Sequence, residues 1–304
     1  MRTTYRSQGK LLLTGEYAVL DGALSLALPC KYGQVLTVTK KETALLHWKS
    51  LDHDQNIWFQ SIFDAKELKD IEAPVSSPSI RTTLLTILKE AIKLQPEFLQ
   101  ECLGHEVITY LEFPREWGLG SSSTLINNIA QWANINPYTL LWNTFSGSGY
   151  DIACAQHRKP LLYQLQDSEP IVREVAFDPP FKDQLYFVYL NKKQNSRDGI
   201  LRYRSREFDI QALTQKISKI TEFILQSCDL EDFENLLVQH ENLLSEVLEL
   251  PRVQETLFPD YQGTIKSLGA WGGDFILATG NAETKHYFEN MGYLTVIPYR
   301  DMIA

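Results

Sequence analysis

The chain has 304 residues, 44% of them apolar, so it is long enough to bury a core in one large or two smaller domains. Its 29 Lys and Arg against 38 Asp and Glu give a net charge of −9, which disfavours nucleic-acid binding because such binding requires a basic face. The four cysteines are widely separated and form no Cys-x-x-Cys pair, which argues against zinc and disulfide frameworks and favours a cytoplasmic location. No apolar run reaches the roughly 18 residues that would cross a bilayer, and Thr14, Gly15 and Glu16 interrupt the N-terminal apolar stretch, unlike a signal peptide. We therefore expect no nucleic-acid partner and no membrane partner.

The first half of the chain predicts a mixture of strands and helices, and therefore an α+β fold. Ser79 is expected to cap a helix whose apolar positions run from Ile80 to Ile92, and Pro96 is expected to end it. Runs rich in β-branched and aromatic residues predict strands over 34–39, 44–48, 106–112 and 161–165.

The second half predicts a smaller domain of helices packed on a sheet. The pair Pro179-Pro180 marks the expected boundary, which gives domains over residues 1–180 and 181–304. Strands are predicted over 185–190, 275–278 and 294–297, and helices over 210–225, 230–248, 262–268 and 282–290. Nothing in the pattern decides between a monomer and a homodimer.

Residues 114–124 are the most informative segment. They contain Gly118, Gly120 and three serines at 121–123, and they lie between a predicted strand and an apolar helical pattern that starts at Leu125. A glycine turn at this position directs several backbone N–H groups to one point, where the helix dipole also favours negative charge. The segment predicts a phosphate site, although the same pattern also occurs at an ordinary helix N-cap.

Three further segments combine glycines with polar residues: Gly9–Leu20 (GKLLLTGEYAVL), Gly147–Ala153 (GSGYDIA) and Gly269–Asp274 (GAWGGD). The Walker pattern and the Gly-x-Gly-x-x-Gly loop of protein kinases are both absent. Together with the serine loop, these segments resemble the ordered motifs of the GHMP kinases, which phosphorylate galactose, homoserine, mevalonate or phosphomevalonate. The resemblance covers nearly the whole chain.

This resemblance implies the two-domain GHMP kinase fold of the α+β class. The N-terminal domain would be similar to ribosomal S5 domain 2 and would bind the nucleotide, and the C-terminal domain would be ferredoxin-like. The resemblance also implies ATP and Mg²⁺ as cofactors. The nucleotide-binding residues that it implies are Gly118, Leu119, Gly120, Ser121, Ser122 and Ser123.

Six residues are candidates for the chemistry or for binding the phosphates and the metal ion. Asp151 stands at the start of a helix, and the resemblance implies that it accepts the proton of the acceptor hydroxyl; the alternative is a helix cap. Lys10 would lie near the transferred phosphate, or else it is a solvated lysine at a strand edge. By family position Ser122 would bind Mg²⁺, with Ser121 and Ser123 on phosphate oxygens, while Glu16 is either a metal carboxylate or an ordinary turn residue.

Two features of the sequence bear on which acceptor is phosphorylated. Glu16-Tyr17 and the Gly-Gly-Asp that ends at Asp274 look more like phosphomevalonate kinases, of the mevalonate pathway to isoprenoids, than like mevalonate kinases, which remain the alternative. Segment 191–197 concentrates three cations after a strand, which suits an acidic or phosphorylated small molecule; the alternative is a solvated loop. The expected substrate contacts are Tyr17, Lys192, Lys193, Ser196, Arg197, Gly272 and Gly273.

Trp271 departs from the family pattern, in which this position is usually glycine. An indole cannot occupy a space that only backbone fits. Either the loop has turned outward, or Trp271 covers the mouth of a ligand site, or it packs in an interface. The substitution also raises an alternative of another class, a GHMP-fold protein that has lost catalysis and serves as a ligand sensor.

Overall fold

The computed structural model describes residues 2–70 and 79–304. The chain forms two compact units. The first unit comprises Met1–Gly9, Tyr32–Arg115 and Gly120–Gln156, and the second comprises Lys10–Lys31, Glu116–Leu119 and His157–Ala304. Each unit is thus made of three separate stretches of the chain. The two domains expected on either side of residue 180 stay a prediction. The mixed α+β class is confirmed.

The first unit is built on a sheet with helices packed against it. Two long strands, β1 (Arg2–Leu12) and β2 (Ser25–Lys40), have residues in both units. The other strands of the first unit are β3 (Leu46–Leu51), β4 (Ile57–Phe63) and β5 (His105–Leu111). The helices are α1 (Ala65–Lys69), α2 (Ile80–Leu94), α3 (Phe98–Cys102), α4 (Ser121–Ala133), α5 (Pro137–Thr144) and α6 (Tyr150–Gln156).

Strand pairing in the first unit follows the order β4-β3-β5-β2. Strand β3 is antiparallel to β4 and parallel to β5, and residues 34–40 of β2 are antiparallel to β5. Trp48, Phe63 and Val107 form one buried cluster with the apolar faces of the helices. Helix α2 begins at the predicted cap, because the Ser79 side chain accepts from the Thr82 N–H, and it ends just before Pro96.

The second unit contains a four-stranded antiparallel sheet. In chain order its later elements are β6 (Leu161–Gln166), β7 (Glu169–Glu174), β8 (Leu185–Tyr189), α7 (Ser196–Arg204), α8 (Ile210–Gln226), α9 (Leu230–Leu248), α10 (Val253–Leu257), β9 (Ile265–Ser267), β10 (Phe275–Thr279), α11 (Thr284–Asn290), β11 (Val296–Pro298) and α12 (Tyr299–Met302). Strands β6 and β7 form a hairpin, and β6 pairs with residues 25–27 of β2.

The order β11-β8-β10-β9, with helices after β8 and after β10, is the β-α-β-β-α-β arrangement of ferredoxin-like domains. All three strand pairs are antiparallel. Helices α8 and α9 turn apolar residues inward, as their spacing predicts. The ferredoxin-like arrangement implied by the resemblance is therefore present in this sheet.

The predicted helix over 262–268 is wrong, because residues 265–267 form β9 and pair with Ile276–Ala278 of β10. A helix was expected because Ile265 and Leu268 are three residues apart, a spacing that would place both on one helix face; in the strand both are also buried. Helices α5 and α7 were not predicted, although Asn136 before Pro137 and Asn195 before Ser196 cap them. In the described part of the chain, no helix is long and apolar enough to cross a membrane.

Candidate functional site

The glycine-serine segment forms the uncapped start of α4. Gly118 and Gly120 both have left-handed backbone angles, with φ of 66° and 87°, and Gly120 is the N-cap residue. No side chain caps this helix. The first turn of a helix leaves its backbone N–H groups without partners inside the helix. Helix α4 therefore presents the donors and the positive dipole end that a phosphate requires.

The three serines of this turn differ in what their hydroxyls do. Ser123 is buried, and its hydroxyl donates to the carbonyl oxygen of Gly120 at 2.9 Å. Ser122 is exposed and Ser121 is half-buried. The Ser123 hydroxyl proton is therefore used in a hydrogen bond within the turn. The Ser121 and Ser122 hydroxyls are better placed to contact a ligand.

Lys10 is bound to the chain segment that leads into this turn. Its Nζ donates to the carbonyl oxygen of Gly118 at 2.8 Å, and its backbone N–H donates to that of Leu119 at 3.0 Å. Both contacts lie within the second unit. The lysine is half-buried, so the alternative of a solvated lysine at a strand edge does not describe it.

Asp151 lies in the first turn of α6, directly after a turn in which Gly147 and Gly149 have φ of 140° and 91°. Trp142 fixes this turn by donating its Nε1–H to the Gly147 carbonyl at 3.2 Å. One carboxylate oxygen of Asp151 accepts from the backbone N–H of Ile152 at 3.1 Å. Helix α6 packs against α4, so the first unit brings the aspartate helix and the serine helix together.

The surroundings of Asp151 include a buried phenol. Burial raises the pKa of Tyr138, and the nearby Cys154 and Asp151 raise it further. A tyrosine in this setting stays protonated at neutral pH. The short carboxylate at the helix start therefore has an uncharged aromatic neighbour.

Glu16 belongs to a buried cluster of ionisable residues in the second unit. Its Oε1 lies 2.7 Å from Lys266 Nζ, and Lys266 Nζ lies 3.6 Å from Glu241 Oε1. His240 Nε2 lies 3.4 Å from the other oxygen of Glu16 and accepts the Gly15 N–H at 2.9 Å. All four side chains are closed to solvent. Glu16 is thus already paired with a cation, which leaves it poorly suited to bind a metal ion.

Burial sets the ionisation of this cluster, which we call the Lys266 cluster (Glu16, His240, Glu241 and Lys266). Burial raises the pKa of Glu16 despite the opposing charge of Lys266. Burial likewise raises the pKa of Glu241 to about 7, again against Lys266. Burial, together with Lys266, lowers the pKa of His240 well below its usual value, so this imidazole is neutral.

Sequence reasoning missed three members of the Lys266 cluster. Of its four residues, only Glu16 is named in the sequence analysis. The position of Lys266 between the apolar residues Ile265 and Leu268 was the one available signal. In the described chain, no group of three His, Cys, Asp or Glu side chains could hold a metal ion.

Tyr17 and Trp271 contact each other inside the second unit. The Tyr17 hydroxyl accepts the backbone N–H of Trp271 at 2.8 Å, and the Trp271 indole donates to the Pro251 carbonyl at 3.1 Å. Both side chains are buried in one apolar cluster, where Tyr17 stacks on Tyr203. Trp271 therefore does not turn outward from the loop. The Tyr17 hydroxyl oxygen accepts a hydrogen bond from the backbone of the same loop.

The basic segment is exposed and partly helical. Asn195 caps α7, so two of the expected substrate residues, Ser196 and Arg197, lie in its first turn. Lys192 and Lys193 precede the cap and are also exposed. The backbone of Gly273 packs against Gln194, whereas a side chain at Gly272 would meet open space. Gly273 and the basic segment are thus neighbours within the second unit.

Comparison with solved structures identifies the fold. A mevalonate kinase from Methanococcus jannaschii superimposes with a TM-score of 0.72 and 16% identity over 97% of this chain and 96% of that one. A Streptococcus pneumoniae phosphomevalonate kinase in complex with phosphomevalonate and AMPPNP gives 0.69 and 18%, with 95% of each chain covered. A Lactococcus lactis galactokinase complexed with galactose gives 0.67 and 14%, over 98% of this chain and 94% of that one.

These proteins are GHMP kinases, and this chain has their fold over nearly its whole length. No protein-family model matches the sequence, and no curated protein matches it. At such low identity the structural match defines the fold and leaves the acceptor open.

Proposed function

We propose that this protein transfers the γ-phosphoryl group of ATP to a small-molecule acceptor. The main observation behind the proposal is the uncapped start of α4, with two left-handed glycines before it and the exposed Ser122 in its first turn, in a chain with the GHMP kinase fold. Phosphoryl transfer requires mainly positioning and neutralisation of charge, which backbone donors, a cation and a carboxylate supply.

The nucleotide phosphates are proposed to lie at Gly118–Ser123. Ser121 would donate to a phosphate oxygen and Ser122 would contribute its hydroxyl to Mg²⁺. A magnesium ion usually takes few protein ligands and is held largely by nucleotide phosphates and water. This suits a chain that offers an exposed serine and, in the described residues, no group of three His, Cys, Asp or Glu side chains that could hold a metal ion. When bound, the ion would neutralise phosphate charge.

Lys10 and Asp151 are the proposed catalytic residues. Lys10, held at the Gly118 carbonyl, would stabilise negative charge that develops on the transferred group. Asp151 would accept the proton of the attacking hydroxyl and orient it. Asp151 lies in the first turn of α6, where the helix dipole favours a negative charge.

Phosphomevalonate is the proposed acceptor. Support comes from the exposed cations Lys192, Lys193 and Arg197 in a chain of net charge −9, and from the Glu16-Tyr17 and Gly273-Asp274 sequence signatures. The sensor alternative was raised because of Trp271. That residue is buried and makes two hydrogen bonds, so its presence gives little reason to expect a loss of catalysis.

An acceptor panel tests the proposal. The protein is incubated with Mg-ATP and separately with phosphomevalonate, mevalonate, homoserine and galactose, and products are identified by mass spectrometry. We expect a gain of one phosphoryl group on phosphomevalonate. Phosphorylation of mevalonate alone would move the assignment to a mevalonate kinase, whereas ATP binding without any phosphorylated product would support the sensor alternative.

A further inference from the structure

Asp274 holds an unfavourable backbone conformation at the end of the Gly269–Asp274 loop. Its φ is 52°, in the left-handed region that glycine adopts without cost and that most other residues avoid. Two nearby glycines of the loop, Gly269 and Gly272, have similar angles. A residue other than glycine that is kept in this conformation is often found where its side chain has a function.

The main chain of Asp274 is paired on both sides. Its N–H donates to the Lys192 carbonyl at 2.8 Å, and its carbonyl accepts the Leu190 N–H at 2.8 Å. One carboxylate oxygen, Oδ1, accepts the Gln194 N–H at 3.1 Å. Asp274 thus fixes the start of the basic segment through backbone and side chain together.

The same carboxylate lies directly against Gly118. A side-chain carbon at Gly118 would overlap the Asp274 carboxylate, so only glycine fits there. Gly118 is the residue whose carbonyl binds Lys10 Nζ. Burial raises the pKa of Asp274, and Lys10, the Gln194 N–H and Lys193 partly offset this rise, which places both lysines near the carboxylate.

We propose that Asp274 is a positioning residue, whose carboxylate holds the Gly118 turn with its bound Lys10 and the Lys192–Gln194 segment in a single arrangement. The inference rests on the proposed function for its catalytic consequence. The phosphate turn and the acceptor-binding segment are otherwise separate in sequence, and this one side chain contacts both. A small displacement of either would lower the rate of transfer, because phosphoryl transfer depends on alignment.

Two variants separate the side chain from the backbone strain. Asp274→Gly removes the carboxylate and relieves the left-handed conformation, whereas Asp274→Asn keeps an oxygen acceptor for the Gln194 N–H and removes the charge. Ser168→Gly is the matched control, since Ser168 is exposed in the β6–β7 turn with φ of 66°. If the Asp274 side chain has no role, both glycine variants should be at least as stable as wild type and equally active, because glycine relieves the left-handed backbone.

The test combines kinetics with hydrogen exchange. We expect Asp274→Gly to lower kcat and to raise the KM for both the acceptor and ATP, with kcat/KM for the acceptor reduced about ten-fold or more. Asp274→Asn should lose less, and Ser168→Gly should match wild type. Without any ligand, the Gln194 amide should exchange about ten-fold faster in Asp274→Gly and stay protected in Asp274→Asn.

Wild-type kcat and KM in a folded Asp274→Gly protein would overturn the positioning role. Unchanged exchange at Gln194 in that variant would overturn it as well. If the wild-type protein phosphorylates no acceptor, the proposed function fails, and the exchange measurement still decides whether Asp274 holds the segment.

Discussion

Lys266 Nζ lies 2.7 Å from Glu16 Oε1, and neither side chain reaches solvent. The two residues are 250 positions apart in the chain. Because Glu16 stands between Gly15, which donates to His240, and Tyr17, which accepts from Trp271, this ion pair fixes the first glycine turn to the C-terminal sheet. The buried carboxylate of Glu16 thus has a cationic partner within the second unit.

Removal of Lys266 should strongly destabilise the protein. Lys266→Met leaves two buried carboxylates without their cation, and loss of one partner of a buried ion pair typically costs about 3–5 kcal/mol. Urea denaturation measures the change in the free energy of unfolding. Lys285→Met is the control, because Lys285 pairs with Glu289 on the surface and should change stability by less than about 1 kcal/mol. Equal, small effects of both variants would contradict the account of the cluster.

Glu241 predicts a pH dependence of stability. Its pKa rises from 4.5 to about 7 on folding, so between these values the native protein keeps a proton that the unfolded chain releases. Stability should therefore fall as pH rises through this window, by about 3 kcal/mol at about 1.4 kcal/mol per pKa unit. Glu241→Gln should remove this component.

The measurement compares wild type and Glu241→Gln by denaturation at several pH values. The difference between them isolates Glu241 from His240, whose lowered pKa acts in the opposite sense by reducing stability as the pH falls below about 6.5. Glu246→Gln, exposed on the same helix, is the control and should keep the wild-type profile. A constant difference between wild type and Glu241→Gln across pH 4.5 to 7 would show that Glu241 keeps its ordinary pKa.

Gly120→Val should weaken ATP binding. The substitution puts a branched side chain on the N-cap of α4, where backbone must approach the phosphates. We expect at least a ten-fold loss of affinity by calorimetry, or roughly 1.4 kcal/mol. Gly292→Val is the control, since Gly292 has nearly the same φ of 88° and faces open space. Unaltered ATP affinity in a folded Gly120→Val protein would remove the nucleotide from this loop.

Neutralisation of the basic segment should impair the acceptor and not ATP. Replacing Lys192, Lys193 or Arg197 by Gln removes a charge-assisted contact of about 1.5–3 kcal/mol, which lowers kcat/KM for phosphomevalonate by roughly ten-fold to 100-fold. Steady-state kinetics should show the loss mainly as a higher KM. Mevalonate has no such phosphate and should respond weakly. Lys216→Gln, on the exposed face of α8, serves as the control; a similar loss there would indicate a general charge effect.

Local signals in the sequence predicted much of the fold. Three local features, each of which depends on residues that are close together in the chain, form as expected: the Ser79 cap, the apolar faces of α8 and α9, and the glycine-serine turn before α4. The same holds for most strands. These features depend on periodicity and capping, which the sequence displays directly.

Contacts between residues far apart in the chain could not be predicted from the sequence. Burial of Lys266 depends on carboxylates from two distant segments, and the fit of Trp271 depends on the hydroxyl of Tyr17 and the carbonyl of Pro251. No local pattern encodes these partners. For the same reason the helix predicted over 262–268 is a strand, because its conformation is set by pairing with β10.

We propose that this chain transfers the γ-phosphoryl group of ATP with Asp151 and Lys10 as catalytic residues. The most direct test follows radiolabel from γ-labelled ATP into phosphomevalonate in wild type, Asp151→Asn and Lys10→Met, with ATP affinity measured in parallel. We expect transfer by wild type and a fall in kcat of about 100-fold or more in each variant, with ATP still bound by the Asp151→Asn protein. Transfer at the wild-type rate in both variants, or no transfer by the wild-type protein to any acceptor, would contradict it.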